Sequence, residues 1–206
     1  KQIYCEVTKK GTSGSVKSEM TYPILGYSIE SAAITLKPGA WEYDGTEKKP
    51  DIALVKLSGG TTLTNGVGYQ VSYADNVNAG TGRVIITGIG IYDGTAETTF
   101  AINKKQVTNL TFDGMEKEYE YTGEEIRPEF TLKDSDTDKV IPESEYTVEY
   151  INNTTPMEGY FPAVRVTPKA DGNYNFSAVT TGTREFKIVH EHNWRYKESG
   201  SAIILE

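Results

Sequence analysis

Two short motifs each occur twice in this chain, and this duplication constrains the fold more than any other feature. The pattern Tyr-x-Gly-x4-Pro occupies residues 43–50 and returns at 121–128. The pattern Tyr-x-Val-x-Tyr-x2-Asn occupies residues 69–76 and returns at 146–153. Spacing inside each motif is kept while the offset between copies drifts along the chain, as expected when strands are retained and loops vary. We therefore predict two tandem copies of one module.

The repeat divides the 206 residues into four segments. The first copy is expected over 31–105 and the second over 106–189. Residues 1–30 contain alternating extended runs around a Gly-rich turn and indicate a hairpin, either a partial N-terminal β-module or the end strands of a preceding module. Residues 190–206 form a tail or the start of a further module. Because the chain begins at Lys1 in the middle of a pattern, we expect it to be part of a longer chain.

The local pattern throughout is that of short strands. No apolar i, i+3, i+4, i+7 periodicity continues for 11 residues, so a long helix is not expected. Runs of mostly five to eight residues are bounded by Gly, Asn, Asp or Pro, which is typical of strands joined by turns. The sequence predicts an all-β fold of tandem antiparallel β-sandwich modules. The predicted strands are 33–37, 51–57, 69–75, 82–88 and 96–103 in the first copy and 130–132, 146–150, 163–167 and 184–189 in the second.

The alternating apolar positions of these strands are the predicted core. The set in the first copy is Tyr69, Val71, Tyr73, Val84, Ile86, Phe100 and Ile102. The set in the second copy is Tyr146, Val148, Tyr150, Val164, Val166, Phe186 and Ile188.

Composition excludes several classes of partner. The chain has 21 basic and 29 acidic residues, giving a net charge of −8, and no basic stripe with interleaved aromatics, so nucleic acid is not an expected partner. No apolar run reaches the roughly 18 residues that a transmembrane helix needs. The single cysteine, Cys5, allows no disulfide within the chain and is interpreted as a small buried hydrophobe on a strand.

Both repeated motifs, together with Asn78-Ala79-Gly80-Thr81 and the Gly-rich turn at 88–95, resemble bacterial immunoglobulin-like repeats. Such repeats occur in secreted and cell-surface proteins of gut Gram-positive bacteria. The first copy matches over nearly its whole length, whereas the second departs at 168–174, where another sequence replaces the Gly-x-Gly-x-Tyr turn. The resemblance implies an immunoglobulin-like sandwich, an extracellular location, either secreted or attached to the cell surface, and a spacer, stalk or adhesin role without catalytic residues.

One acidic segment has the spacing of a calcium loop. Asp134, Asp136, Asp138 and Glu145 occupy positions 1, 3, 5 and 12 of a twelve-residue loop, where carboxylates bind calcium in helix–loop–helix sites. Position 6, which needs Gly, is Lys139, and the flanking segments are strands. The alternative interpretation is the acidic tip of a hairpin.

Other candidate residues are fewer. Trp41 could stack on a sugar ring and is the candidate ligand-binding residue, the alternative being aromatic packing within the fold. His190 and His192 could bind a metal but lack an evident third ligand. With only two histidines, both near one end, no nucleophile and base pair is expected, so the chain is not expected to be an enzyme and no cofactor is implied.

The sequence is compatible with two functions. The first is a non-catalytic extracellular spacer or stalk in a bacterial surface or secreted protein. The alternative is an adhesin or carbohydrate-binding module that recognises a cell-surface glycan or a host protein through exposed aromatics and loops.

Overall fold

A computed structural model describes residues 6–8, 11, 15–17, 26–156, 159, 161–179, 182–190, 196–199 and 202–205. The protein is all-β, with several small sheets of short strands and a single turn of 3-10 helix among the described residues, consistent with a β-sandwich. The described part contains no helix long and apolar enough to cross a membrane. The absence of helical periodicity in the sequence is thus matched by the observed secondary structure.

The chain separates into two compact units. Unit 1 comprises Lys1–Trp41 and Gly45–Ile102, and unit 2 comprises Glu42–Asp44 and Asn103–Glu206. The hairpin expected near the N-terminus is present as an antiparallel pair of β1 (Glu6–Thr8) and β2 (Ser15–Lys17).

Unit 1 contains a four-stranded sheet in the order β5-β11-β9-β8, a three-stranded sheet in the order β4-β6-β7, and a short parallel pair of β3 and β10. The strands are β3 (Tyr27–Ser28), β4 (Ala33–Leu36), β5 (Trp41–Glu42), β6 (Ile52–Lys56), β7 (Thr62–Leu63), β8 (Tyr69–Ala74), β9 (Gly80–Gly88), β10 (Tyr92–Asp93) and β11 (Thr95–Asn103).

Unit 2 repeats these pairings, and its counterparts of the two longest strands, β9 and β11, are shorter. It has a sheet β17-β18-β20, a sheet β13-β15-β16, and parallel pairs β12 with β19 and β14 with β21. The elements are β12 (Lys105–Gln106), β13 (Leu110–Asp113), β14 (Glu118–Glu120), β15 (Thr131–Asp134), β16 (Lys139–Val140), the 3-10 turn Glu143–Glu145, β17 (Tyr146–Ile151), β18 (Ala163–Pro168), β19 (Tyr174–Asn175), β20 (Thr183–Glu185) and β21 (Lys187–Val189). An antiparallel pair follows, β22 (Tyr196–Ser199) and β23 (Ala202–Leu205).

Each unit encloses its own apolar core. In unit 1, Ile29, Val55, Leu63, Tyr69, Ile86 and Ala96 form one buried cluster. Unit 2 has two clusters, one made of Val107, Leu132, Ile141, Tyr146, Val166 and Phe176, and the other of Val164, Phe186 and Ile188. Ile29 lies before residue 31, the predicted start of the first copy, so unit 1 draws its core from further upstream.

Most of the predicted core positions are buried or partly buried, and one is wrong. Val84 and Ile86 are fully buried on β9, and Val164 and Val166 are buried on β18. Val148 was predicted to be core, but 40% of its surface is exposed. Alternation along β17 directs Val148 to the same side as its buried neighbour Tyr146, but an open cleft, described below, leaves the valine uncovered.

A tyrosine hydroxyl joins the two sequence motifs in each unit. The Tyr73 hydroxyl donates to the carbonyl of Pro50 at 3.1 Å, and the Tyr150 hydroxyl donates to the carbonyl of Pro128 at 3.2 Å. These are the last tyrosine of one motif and the proline of the other. The constant spacing within each motif therefore has a geometric cause, because both partners of one bond must be kept in register.

A buried asparagine makes the second link. The Asn76 side-chain amide donates to the carbonyl of Lys48 at 2.9 Å, and that of Asn153 donates to the carbonyl of Ile126 at 3.0 Å. Each backbone amide of the accepting residue donates in return to the carbonyl of the same asparagine, at 2.7 and 2.8 Å. The residue before each asparagine is left-handed, with φ of 52° and 51°. Both asparagines thus fix a loop against the start of a strand.

Candidate functional site

Trp41, the predicted ligand-binding residue, is partly buried in an aromatic pair. Its ring meets Phe100 edge-on, with 6.4 Å between centroids. Phe100 lies over Gly82, where a Cβ atom would be 2.5 Å from the ring, so the glycine makes room for it. Unit 2 has an equivalent edge-on pair, Tyr119 with Phe186, at 5.4 Å. The repeated pair indicates packing at this position, and sugar binding by Trp41 stays a prediction.

The acidic segment 134–138 forms the tip of the β15–β16 hairpin. Asp134 is buried, and its carboxylate accepts hydrogen bonds from the Asp136 amide at 3.1 Å and the Thr137 hydroxyl at 2.9 Å. Asp136 accepts from the Thr108 hydroxyl and from the Asn109 side chain. These bonds lower the pKa of Asp136, since they favour its charged form.

The other two carboxylates of the predicted calcium loop have separate partners. Asp138 is left-handed at the turn, and its exposed carboxylate lies 3.6 Å from the Lys133 ammonium. Glu145 accepts from the backbone amide of Asn173 at 2.6 Å and from its side chain at 2.9 Å, which fixes the 168–174 loop where the second copy departs from the first. The described residues include no group of three or more His, Cys, Asp or Glu side chains able to hold a metal ion.

The other residues considered from the sequence are His190, His192 and Cys5. The His190 ring packs edge-on against Tyr121, with 5.8 Å between centroids. His192 and Cys5 lie outside the described residues.

Unit 2 contains an open cleft of about 700 Å³ that the sequence did not indicate. The segment 128–131 forms one wall, with Phe130 exposing part of its ring, and β17 forms another through Tyr146, Val148 and Tyr150. Asp113 and Gly114 lie at one side, and Glu143 on the 3-10 turn lies at another.

The cleft carries excess negative charge. Asp113 is paired with the Lys133 ammonium at 2.7 Å, which lowers the pKa of the aspartate and raises that of the lysine. Glu129 and Glu143 are exposed, and neither carboxylate makes an ion pair or a side-chain hydrogen bond within the described part of the chain. Among the described residues, these two carboxylates of the cleft therefore have no direct ion-pair partner.

These two carboxylates act on the tyrosines beside them. Burial raises the pKa of Tyr146, and the nearby Glu143 charge raises it further. Burial also raises the pKa of Tyr150, where the guanidinium of Arg127, 5.7 Å above the ring, opposes the effect of Glu129 and Glu143. Both phenols remain neutral at physiological pH, and the Tyr150 hydroxyl, which already donates to the carbonyl of Pro128, can accept a further hydrogen bond.

In the corresponding region of unit 1, β4 continues further along its neighbouring strand. Ile34 pairs with the buried Val55 on β6, as Phe112 pairs with the buried Leu132 on β15. Two residues after Ile34, β4 continues to Leu36, which pairs with Ile52. Val71, the counterpart of the exposed Val148, is partly buried against the core.

In unit 2 the chain turns away at the same point. Two residues after Phe112 comes Gly114, which has φ of +85°, and the Met115 amide donates back to the carbonyl of Phe112 at 3.5 Å. The pairing of β13 with β15 accordingly ends at Asp113 opposite Thr131, and residues 128–130 belong to no strand. Glycine at 114 in place of leucine at 36 is the sequence signal that could have revealed the cleft.

No protein-family model, no curated protein and no solved structure matches this chain.

Proposed function

We propose that this chain is a non-catalytic spacer or stalk made of two immunoglobulin-like β-sandwich repeats, within a secreted or surface-attached bacterial protein. The observation that carries the proposal is the pair of matching links. Tyr73 with Pro50 and Tyr150 with Pro128 hold each unit together through the very residues that define the repeated sequence motifs. The repeat therefore preserves structure, as expected of a module whose role is to be stacked in series.

Among the described residues, neither the acidic tip nor Trp41 is a polar site common to both repeats, which supports the same role. The acidic tip of unit 2 has Ser58-Gly59-Gly60-Thr61 as its counterpart in unit 1, so the two repeats do not share these carboxylates. Trp41 corresponds to Tyr119, and both rings pack against a phenylalanine of their own unit. The last tyrosine, the proline and the asparagine of the two motifs are thus accounted for by hydrogen bonding within each unit.

A replacement experiment tests the spacer role. In the longer protein to which this segment is proposed to belong, residues 26–190 are exchanged for two unrelated β-sandwich domains of equal length. Surface exposure and activity of the rest of the protein should be retained, whereas deletion of the segment should impair them. Loss of function with the length-matched exchange would contradict a spacer role.

The alternative is a binding module for a cell-surface glycan or a host protein, and the open cleft of unit 2 favours it. A glycan-array screen of the wild-type chain, Trp41→Ala and Glu129→Gln separates the two functions. A pure spacer gives no reproducible binding. Binding that depends on Trp41 would support sugar stacking at the residue selected from sequence, and binding that depends on Glu129 would locate recognition in the cleft.

A further inference from the structure

We propose that the cleft of unit 2 binds an extended polypeptide segment of a protein partner and recognises a lysine side chain on it. This goes beyond the spacer role and is tested independently of it. The cleft is bounded by segment 128–131, by Val148 and its neighbours on β17, and by the carboxylates of Glu129 and Glu143.

Unit 1 shows which chemistry fits this place. There the chain continues past Leu36, and the backbone amide of Lys37 donates to the carbonyl of Asp51 at 2.8 Å. The Lys37 ammonium also lies 3.0 Å from the Asp51 carboxylate. One lysine of an extended segment therefore makes a backbone bond and an ion pair to the same residue. Pro38 follows it and favours the extended conformation of the lysine.

Unit 2 keeps the acceptor and lacks the lysine. Glu129 follows Pro128 as Asp51 follows Pro50, so the carboxylate is retained at the same place in the motif. The segment that supplies Lys37 in unit 1 has turned away at Gly114 in unit 2. Residues 128–130 lie in no strand, and a segment from another protein can pair with their backbone and gain main-chain hydrogen bonds, as a peptide added to a sheet edge does.

The charge and the apolar surface of the cleft select lysine over a neutral ligand. Glu143 occupies the position that Gly66 has in unit 1. It adds a second carboxylate to that of Glu129, whose counterpart in unit 1 is Asp51. Glu129, Glu143 and the exposed Val148 line one cleft, so a lysine bound there can pair its ammonium with a carboxylate while its methylene chain covers apolar surface. A neutral sugar would leave both carboxylates uncompensated.

The test uses the 206-residue chain and a peptide copied from unit 1. The probe is acetyl-Ala-Ile-Thr-Leu-Lys-Pro-Gly-amide, the sequence of residues 33–39, and the matched control peptide has glutamine in place of lysine. Binding is followed by two-dimensional NMR of the isotopically labelled chain, up to roughly 5 mM peptide, because affinities near 1 mM are accessible there. We expect the lysine peptide to shift the amide resonances of residues 129–131 and 146–150.

Charge-neutral variants test the role of the carboxylates. Glu129→Gln and Glu143→Gln should each raise the Kd of the lysine peptide by about fivefold, the upper range for an exposed ion pair. Glu124→Gln and Glu185→Gln make the same charge change at exposed positions outside the cleft and should leave Kd unchanged. Melting temperatures of all four variants verify that the fold is intact.

The peptide experiment separates a supporting result from three refuting ones. Shifts confined to the cleft, weakened by the glutamine peptide and by Glu129→Gln or Glu143→Gln but by neither control variant, support the proposal. It is overturned if the lysine peptide gives no shift, if the glutamine peptide binds equally well, or if a neutral glucose oligomer shifts the same resonances without dependence on Glu129 and Glu143. None of these results bears on the domain-exchange test of the spacer role.

Discussion

The two buried asparagines allow a quantitative test of how each unit is held together. In Asn76→Ala, the carbonyl of Lys48 loses its partner at 2.9 Å while the reciprocal backbone bond remains. Asn76 is 8% exposed and Asn153 is 7% exposed, so water is largely excluded at both sites. Leaving a buried acceptor unsatisfied costs about 1–3 kcal/mol. Asn153→Ala should therefore lower the free energy of unfolding by a similar amount.

The assay is differential scanning calorimetry combined with urea unfolding. For a unit of about 80–100 residues, 1 kcal/mol corresponds to roughly 4–8 °C, so the affected unit should melt about 5–20 °C lower. Ser72→Ala, at an exposed position on β8, is the control and should change stability by less than about 0.5 kcal/mol. A loss below about 0.5 kcal/mol for both asparagine variants would refute the reasoning, because it would mean that these amides do not contribute as buried hydrogen-bond donors.

Three further predictions concern the core, calcium and pH. Val84→Ala and Val166→Ala should each lower the free energy of unfolding, measured in urea, by about 1–3 kcal/mol. Val148→Ala should lower it by less than about 1 kcal/mol. Equal losses of stability at 148 and 166 would contradict the observed register. Calcium at about 1 mM should leave the melting temperature unchanged, whereas a site with a Kd near 10 µM would add about 2.7 kcal/mol. A calcium-dependent rise abolished by Asp136→Ala would contradict this expectation. Among the described residues, burial raises the pKa of five tyrosines. Their contribution to stability is therefore complete below the unfolded-state pKa of about 10 and is lost as pH rises through the folded-state values. Urea unfolding from pH 8 to 11 should therefore show falling stability above about pH 10, and a flat profile would contradict it. These tyrosines are Tyr69, Tyr73, Tyr146, Tyr150 and Tyr174.

The strands could be predicted from sequence because their signal is local. Alternation along β8 and β17 and the continuous apolar run on β9 identified these strands to within two residues at each end. Alternation reports which side of a strand a residue occupies, but it does not report whether anything covers that side. Val71 and Val148 have identical local patterns, and they differ because of what the chain does at Leu36 and Gly114.

The candidate metal site could not be judged from sequence because spacing along a chain does not fix distance in a hairpin. Positions 1, 3, 5 and 12 converge only when a loop wraps around a central ion. Here Asp134 forms hydrogen bonds within the turn, and Glu145 lies beyond β16 and accepts from Asn173. The cleft could not be predicted for the converse reason. Its carboxylates, Glu129 and Glu143, are separated in sequence and share no motif, but the fold brings both to one cleft.

The parallel pairing of β14 with β21 has a mechanical consequence. These strands join the early and late parts of unit 2, with Glu118 opposite Lys187 and Glu120 opposite Val189, and flanking backbone bonds of 2.8 Å from Lys187 to Lys117 and 2.7 Å from Tyr121 to Val189. When a force acts on the chain before β14 and after β21, the two parallel strands must slide past each other, so these bonds share the load. A pair that peeled open would lose its bonds one at a time. We therefore expect the β14–β21 pair to resist stretching along the chain, which single-molecule pulling can measure.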